Sequence, residues 1–222
     1  DTVAVGLATF LEKSPEVKLV VDIGTNGEML LGSSKRLLAC STAAGPAFEG
    51  AQIKYGMRGT TGAIEAFQIH GDDISYKVID NVPPKGICGS GLIDIMAELL
   101  RAGIIDGTGR ILSPEEIGPN FRMHIVEGEN GYDFIVAPKI LLTQGDVRQL
   151  QLAKGAIYAG IQILKEVLGI EDDEISQILL AGAFGNYIRK ESAKAIGLLP
   201  DIPLERIKSI GNAAGVGAKM AL

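Results

Sequence analysis

From Leu19 to Gly32 the chain reads Leu-Val-Val-Asp-Ile-Gly-Thr-Asn-Gly-Glu-Met-Leu-Leu-Gly, an apolar run ending near Asp22, a polar turn and a second apolar run. A carboxylate at the end of a strand can hold a divalent cation or orient a water. Gly24 and Gly27 lack a Cβ, so backbone N–H groups can come close to an anion, and Thr25 and Asn26 add side-chain donors. Together these residues have the chemistry of a phosphate cradle. Asn26-Gly27 is also ordinary hairpin-turn chemistry, so on this stretch alone both readings stay open.

Two further glycine-rich stretches could take part in such a site. Gly182-Ala183-Phe184-Gly185-Asn186 follows directly on Ile175–Ala181, a predicted buried strand, and in open α/β sheets ligands bind beyond the carboxyl ends of strands. Gly211-Asn212-Ala213-Ala214-Gly215-Val216-Gly217-Ala218 follows a short predicted strand at 207–210, and its small residues suit a helix packed tightly against another. Gly86-Ile87-Cys88-Gly89-Ser90-Gly91 leads into a helix whose N-cap is expected at Ser90. Ala43 to Gly50 is flexible enough to run past a ligand or to cross a sheet edge, with Glu49 its one titratable group.

The elements that must position these residues are legible from periodicity. Two apolar runs flank the turn at 24–27 as strands, and Arg36–Thr42 adds a third strand, giving an antiparallel meander. A hairpin is predicted between Ile64 and Val82, turning at His70-Gly71-Asp72-Asp73, and a short helix start at Ser113-Pro114-Glu115-Glu116. Thr143 with Asp146 has capping-box spacing and opens the longest helix, whose stripe of Val147, Leu150, Ala153, Ile157, Ile161, Leu164 and Leu168 ends at Gly169. Residues 1–17 read as a short helix left over from a preceding subdomain, entered without an initiator Met, so the chain is expected to be part of something longer. Residues 18–222 form the main unit, with an insertion at about 60–85.

Composition narrows the chemistry. With 222 residues, 46% of them hydrophobic, and 29 glycines, the chain can bury a sizeable core without staples and fits a tightly packed α/β fold. Net charge is −6 and basic residues are not clustered, which argues against a nucleic-acid surface. Cys40 and Cys88 are far apart, and with only His70 and His124 as imidazoles no metal or iron–sulfur ligand spacing is present. The absence of a long apolar run or signal-peptide layout predicts a soluble, cytoplasmic protein with no membrane partner.

The three glycine-rich sites, in this order, resemble the second half of the actin, sugar kinase and Hsp70 (ASKHA) superfamily, in which ribonuclease-H-like halves hold ATP in the cleft between them. The expected fold is therefore α/β: a ribonuclease-H-like domain with a mixed sheet that starts as an antiparallel meander and carries an inserted β-hairpin. Asp22-Ile23-Gly24-Thr25-Asn26-Gly27-Glu28, Thr42 to Ala51, Gly86 to Leu92 and Leu180 to Tyr187 are similar to the C-terminal domain of the reductive activators of corrinoid enzymes.

That resemblance covers nearly the whole chain and carries roles with it. It implies that Asp22 is catalytic and positions Mg²⁺ or the attacking water. Gly24, Thr25, Asn26 and Gly27 would form the second phosphate motif, Gly182, Ala183, Phe184, Gly185 and Asn186 the adenosine motif, and Gly211 to Ala218 the second connecting helix. Ala183 stands where many superfamily members keep a second glycine. Family members use ATP to help return the cob(II)alamin of a corrinoid protein to cob(I)alamin for methyl transfer. The implied cofactors are ATP and Mg²⁺, with an iron–sulfur cluster only in a segment N-terminal to this chain, and the implied partners are a corrinoid protein of a methyltransferase system and a second copy in a homodimer. No partner Asp-x-Gly-Thr motif lies upstream, so this chain alone is expected to hydrolyse ATP very slowly or not at all. Half of a small-molecule kinase of the same superfamily, or a non-catalytic dimerisation and docking module, remain as alternatives.

Overall fold

The structure, a computed structural model, describes residues 1–222 except for the side chain of Ala183. Helix α1 (Thr2–Thr9) is followed by β1 (Lys18–Ile23), β2 (Gly27–Ser33) and β3 (Arg36–Thr42). Then come β4 (Ala63–His70), β5 (Asp73–Val78), β6 (Gly86–Ile87), α2 (Gly89–Arg101), β7 (Ile125–Gly128), β8 (Gly131–Ala137), β9 (Ile140–Leu142) and α3 (Gln144–Leu168). The chain ends with β10 (Gln177–Ala181), the single turn α4 (Gly182–Gly185), α5 (Lys190–Ala195), β11 (Ile207–Gly211) and α6 (Ala213–Ala221). These elements make two compact units, Asp1–Gly45 with Lys154–Leu222, and Pro46–Ala153.

The first unit is built on a five-stranded mixed sheet of order β11-β10-β1-β2-β3. β1, β2 and β3 form the antiparallel meander, and β10 and β11 add to β1 in parallel. This is the ribonuclease-H-like arrangement. Burial follows strand position: Leu19, Val20 and Val21 in the central β1 are all buried, whereas β3 at the edge alternates between exposed and half-buried. On one face Val20, Leu30, Leu179 and Ala181 pack with Val5 and Leu11 from the N-terminal segment and with Ala213. On the other face α3 lies so close that a Cβ on Gly160 would stand 2.5 Å from the Met29 methyl. Helices α1 and α6 pack against each other, and a Cβ on Gly217 would overlap the Ala4 carbonyl oxygen, so glycine is required there.

The second unit carries two three-stranded sheets, β5-β4-β6 and β7-β8-β9, with β4 and β5 forming the hairpin around Gly71 and Asp72. Beyond Ile64 the free edge of β4 is covered by α2 through three side chains. Ser90 Oγ donates to the Glu65 carbonyl at 2.9 Å, and the Phe67 and Ile69 amides donate to Asp94 Oδ2 and Glu98 Oε2 at 3.4 and 3.3 Å. Four helical residues advance about 6 Å and two strand residues about 6.6 Å, so side chains at i, i+4 and i+8 can follow alternate strand residues. Ser90 is therefore not the cap of α2: the N-cap is Cys88, without a side-chain cap bond.

A second local expectation also fails. Ser113 to Glu116 is a turn rather than a helix start, because the Glu116 carboxylate accepts from the Ser113 amide at 2.9 Å and from both terminal nitrogens of Arg110, and Gly118-Pro119 follows. At α3 the capping box forms as expected, with the Asp146 amide donating to Thr143 Oγ1 at 3.1 Å and the Thr143 amide to Asp146 Oδ2 at 2.8 Å.

Candidate functional site

The site is built in the first unit, at the carboxyl ends of two parallel strands. β1 and β10 run side by side with Asp22 opposite Ala181, so the residue that follows, Gly182, arrives beside the Asp22 side chain. Gly182 has φ +84°, a conformation that glycine tolerates and a side chain resists, and a Cβ built there would lie 2.5 Å from Asp22 Oδ1. The two stretches thus meet through a gap that only glycine leaves open. Asp22 is half-buried, and burial is the main cause of a carboxyl pKa above its ordinary value; the nearby Glu28 charge is the second.

The loop between β1 and β2 has three residues, closed by the Ile23–Gly27 pair, with the Gly24 amide donating to the Asn26 carbonyl at 2.9 Å. Gly45 fixes it from outside by donating to the Thr25 carbonyl at 2.8 Å. Thr25 and Asn26 are exposed at its tip. Gly27 is buried inside β2, where a Cβ would stand 2.8 Å from Ile157 Cγ1 and 3.0 Å from Thr42 Oγ1. Packing against α3 is enough to require glycine at 27, while the Gly24 N–H is already used within the loop.

The chain after Gly182 is anchored to the next strand. Ser209 Oγ donates to the Gly185 carbonyl at 2.8 Å, and Asn186 lies against Gly211, whose φ is +65°. Gly185 turns tightly over β10, since a Cβ there would be 3.1 Å from the Leu180 carbonyl oxygen. Phe184 is half-buried and Asn186 exposed; Ala183, also expected at the site, has a side chain that lies outside the described residues. Asn212 caps α6 by accepting from the Gly215 amide at 2.8 Å. Asp22, Gly182, Gly185 and Asn186 are therefore set at neighbouring strand ends.

Two contributors were not singled out by sequence reasoning. Glu28 pairs directly with Asp22 across β1 and β2, and its position was readable: once 23 and 27 close the loop, 22 and 28 are the next pair out. Ser209 had no such signal, since its partner Gly185 lies on a distant turn. Among the described residues, no group of three or more His, Cys, Asp or Glu side chains could hold a metal ion, and no helix is long and apolar enough to cross a membrane.

A mixed ribonuclease-H-like sheet with an aspartate at the end of its first strand and a glycine-led turn beside it defines an ASKHA-type domain. Residues 16–222 match the family described as the C-terminal domain of RACo, the ASKHA domain, and this chain belongs to that family. Corrinoid activation enzyme RamQ of Eubacterium limosum is 42% identical over 232 residues, covering 100% of this chain and 39% of the relative. The Co(II) methylated amine-specific corrinoid protein reductase of Methanosarcina barkeri is 30% identical over 96% of this chain and 40% of its own length. A solved structure of a reductive activator for corrinoid, iron-sulfur protein superposes with a TM-score of 0.87 at 40% identity, covering 99% of this chain and 36% of that one. The chain thus spans about two fifths of the length of these relatives.

Proposed function

We propose that this chain is the nucleotide-binding domain of an ATP-dependent reductive activator, which returns the cob(II)alamin of a corrinoid protein to cob(I)alamin for methyl transfer. The observation that carries the reading is the Asp22–Gly182 junction, a half-buried carboxylate at the end of β1 facing a gap that a Cβ would fill. The named relatives support the corrinoid side of it.

An anionic oxygen at a strand end, next to exposed hydroxyl and amide donors, fits Mg²⁺ and the phosphates of ATP. Asp22 would hold that cation or orient the attacking water, and Mg²⁺, when bound, would offset the charge of the phosphates. Thr25 and Asn26 donate to the β- and γ-phosphates, while Gly24 and Gly27 shape the loop and let it lie against the sheet. Gly182 admits the ligand beside Asp22, and the backbone from Ala183 to Asn186, with Phe184 and Gly185, lies along the adenosine. ATP drives the corrinoid step only by binding one arrangement of the activator more tightly than another, which raises the energy of the poised complex. The iron–sulfur group that the resemblance implies outside these residues would supply the electrons.

The test is Co(II)-to-Co(I) conversion, followed by corrinoid absorbance, with the protein at its natural length, its corrinoid partner, an electron donor and Mg-ATP. Asp22→Asn should abolish the ATP-dependent part and leave complex formation with the partner intact. Undiminished ATP-dependent conversion by the variant would overturn the assignment. The kinase reading predicts instead phosphoryl transfer to a small hydroxyl compound, and the docking-module reading predicts no effect of Mg-ATP at all.

A further inference from the structure

Strand β2 lies between β1 and β3, and every residue in it is buried except Glu28, which is half-buried and is also its one charged residue. Glu28 stands directly opposite Asp22 on β1, so both carboxylates leave the same face of the sheet, from Cβ atoms about 5 Å apart. Two residues further in on that face, Val20 and Leu30 oppose each other inside the apolar cluster with Val5 and Leu11. The acidic pair therefore caps the end of an apolar row. Like charges directly opposite in a sheet destabilise it, so a pair kept there calls for a counter-charge.

The surrounding side chains do not supply one. Across the sheet Ala181 flanks Asp22 and Ser41 flanks Glu28, and the next row inward is Leu179, Val20, Leu30 and Ala39. Helix α1 packs on this face through Val5 and has no charged residue, and the one lysine of α6, Lys219, lies in its last turn. Among the described residues no basic side chain forms an ion pair with either carboxylate. Glu28 accepts a long 3.5 Å hydrogen bond from Ser41 Oγ at Oε1.

A divalent cation would supply the missing charge. Mg²⁺ keeps several waters and is held by one or two carboxylates together with the phosphates of a nucleotide. With Asp22 alone on the cation, the Glu28 charge would be left beside those phosphates; with both carboxylates on it, the two negative charges and the two positive ones balance. We propose that Glu28 is the second carboxylate of this cation site, binding the same ion as Asp22. The assignment rests on the nucleotide reading of the Asp22–Gly182 junction.

Calorimetric titration of ATP into the natural-length protein, in excess Mg²⁺ and separately in EDTA, tests it on the parent, Glu28→Gln and Asp22→Asn. Glu28→Gln should weaken Mg-ATP binding at least about tenfold, as expected for loss of a group that holds the metal. Metal-free ATP should bind this variant as tightly as the parent or more tightly, because a negative charge beside the phosphates has gone. With ATP present, Mn²⁺ followed by its electron paramagnetic resonance signal should likewise bind Glu28→Gln at least about tenfold more weakly. An unchanged ratio of the two ATP affinities, or unchanged Mn²⁺ binding, would overturn the proposal. A Glu28→Gln protein with a lowered thermal midpoint and both ATP affinities reduced alike would assign Glu28 to the fold and overturn it too. Mg-ATP binding lost in Asp22→Asn but parental in Glu28→Gln would overturn this proposal and leave the nucleotide reading standing, whereas no saturable binding to the parent would overturn both.

Discussion

Gly182 stands where any side chain would meet the Asp22 carboxylate: its Cβ would be 2.5 Å from Oδ1, on a backbone already at φ +84°. Gly182→Ala should therefore cost roughly 1–2 kcal/mol for the left-handed conformation alone, with a further cost from the displaced carboxylate. Urea unfolding measures that loss, and the same variant should lose affinity for Mg-ATP. Parental stability in Gly182→Ala would show that the two groups are not held together.

Asp22 links stability to pH. Its folded-state pKa is raised, by burial first and by Glu28 second, so the contribution of this group is full below the unfolded pKa of about 4 and is lost as pH rises through the folded value. Asp22→Asn removes that loss. Unliganded, the variant should match the parent near pH 3 and become the more stable of the two by pH 7. Thermal midpoints across that range check the sign, and a variant less stable than the parent at neutral pH would refute it.

The turn at 106–116 responds to acid in the opposite direction. Glu116 is lowered to about 2, first by its hydrogen bond from Arg110 and next by the Ser113 amide, and Asp106 is lowered to about 2, first by Thr108 and next by the Arg110 amide. What these carboxylates contribute is present above about pH 4 and is lost as pH falls toward 2. Arg110→Gln should flatten the part of the acid limb of the stability profile that belongs to Glu116, the variant matching the parent near pH 2 and falling below it by pH 7. An acid limb identical to that of the parent would count against the assignment.

Two glycines are read as packing positions. Gly217→Ala would push α1 from α6 through the Ala4 carbonyl and should cost about 1–3 kcal/mol. Gly27→Ala should cost a similar amount through Ile157 Cγ1, and it should cost less in an Ile157→Ala background, where that atom is gone. A smaller cost there would identify the role of Gly27 as fit against α3. A loss of the same size in the Ile157→Ala background would point instead to the loop beside it.

The sequence carried the meander, the long helix with its capping box and the strand-end positions of Asp22 and Gly182, because each of these is a local pattern of period or turn chemistry. It did not carry the contact between them, since β1 and β10 become neighbours only when the intervening chain has folded. Ser90 and Ser113 show the opposite failure. Both have cap chemistry, but Ser90 is taken by the Glu65 carbonyl on the edge of β4, and the partner of Ser113, Glu116, is shared with Arg110 in a turn. Gly27 looks like a phosphate-loop glycine in sequence, and only the position of Ile157 reveals a packing demand.

Calorimetric titration of Mg-ATP into the natural-length protein and its Asp22→Asn variant tests the central claim most directly. The account predicts saturable binding to the parent and an affinity at least about tenfold weaker, about 1.4 kcal/mol, in the variant, whose unliganded stability at pH 7 is not reduced. Equal affinities in the two proteins, or no binding to the parent, would contradict it.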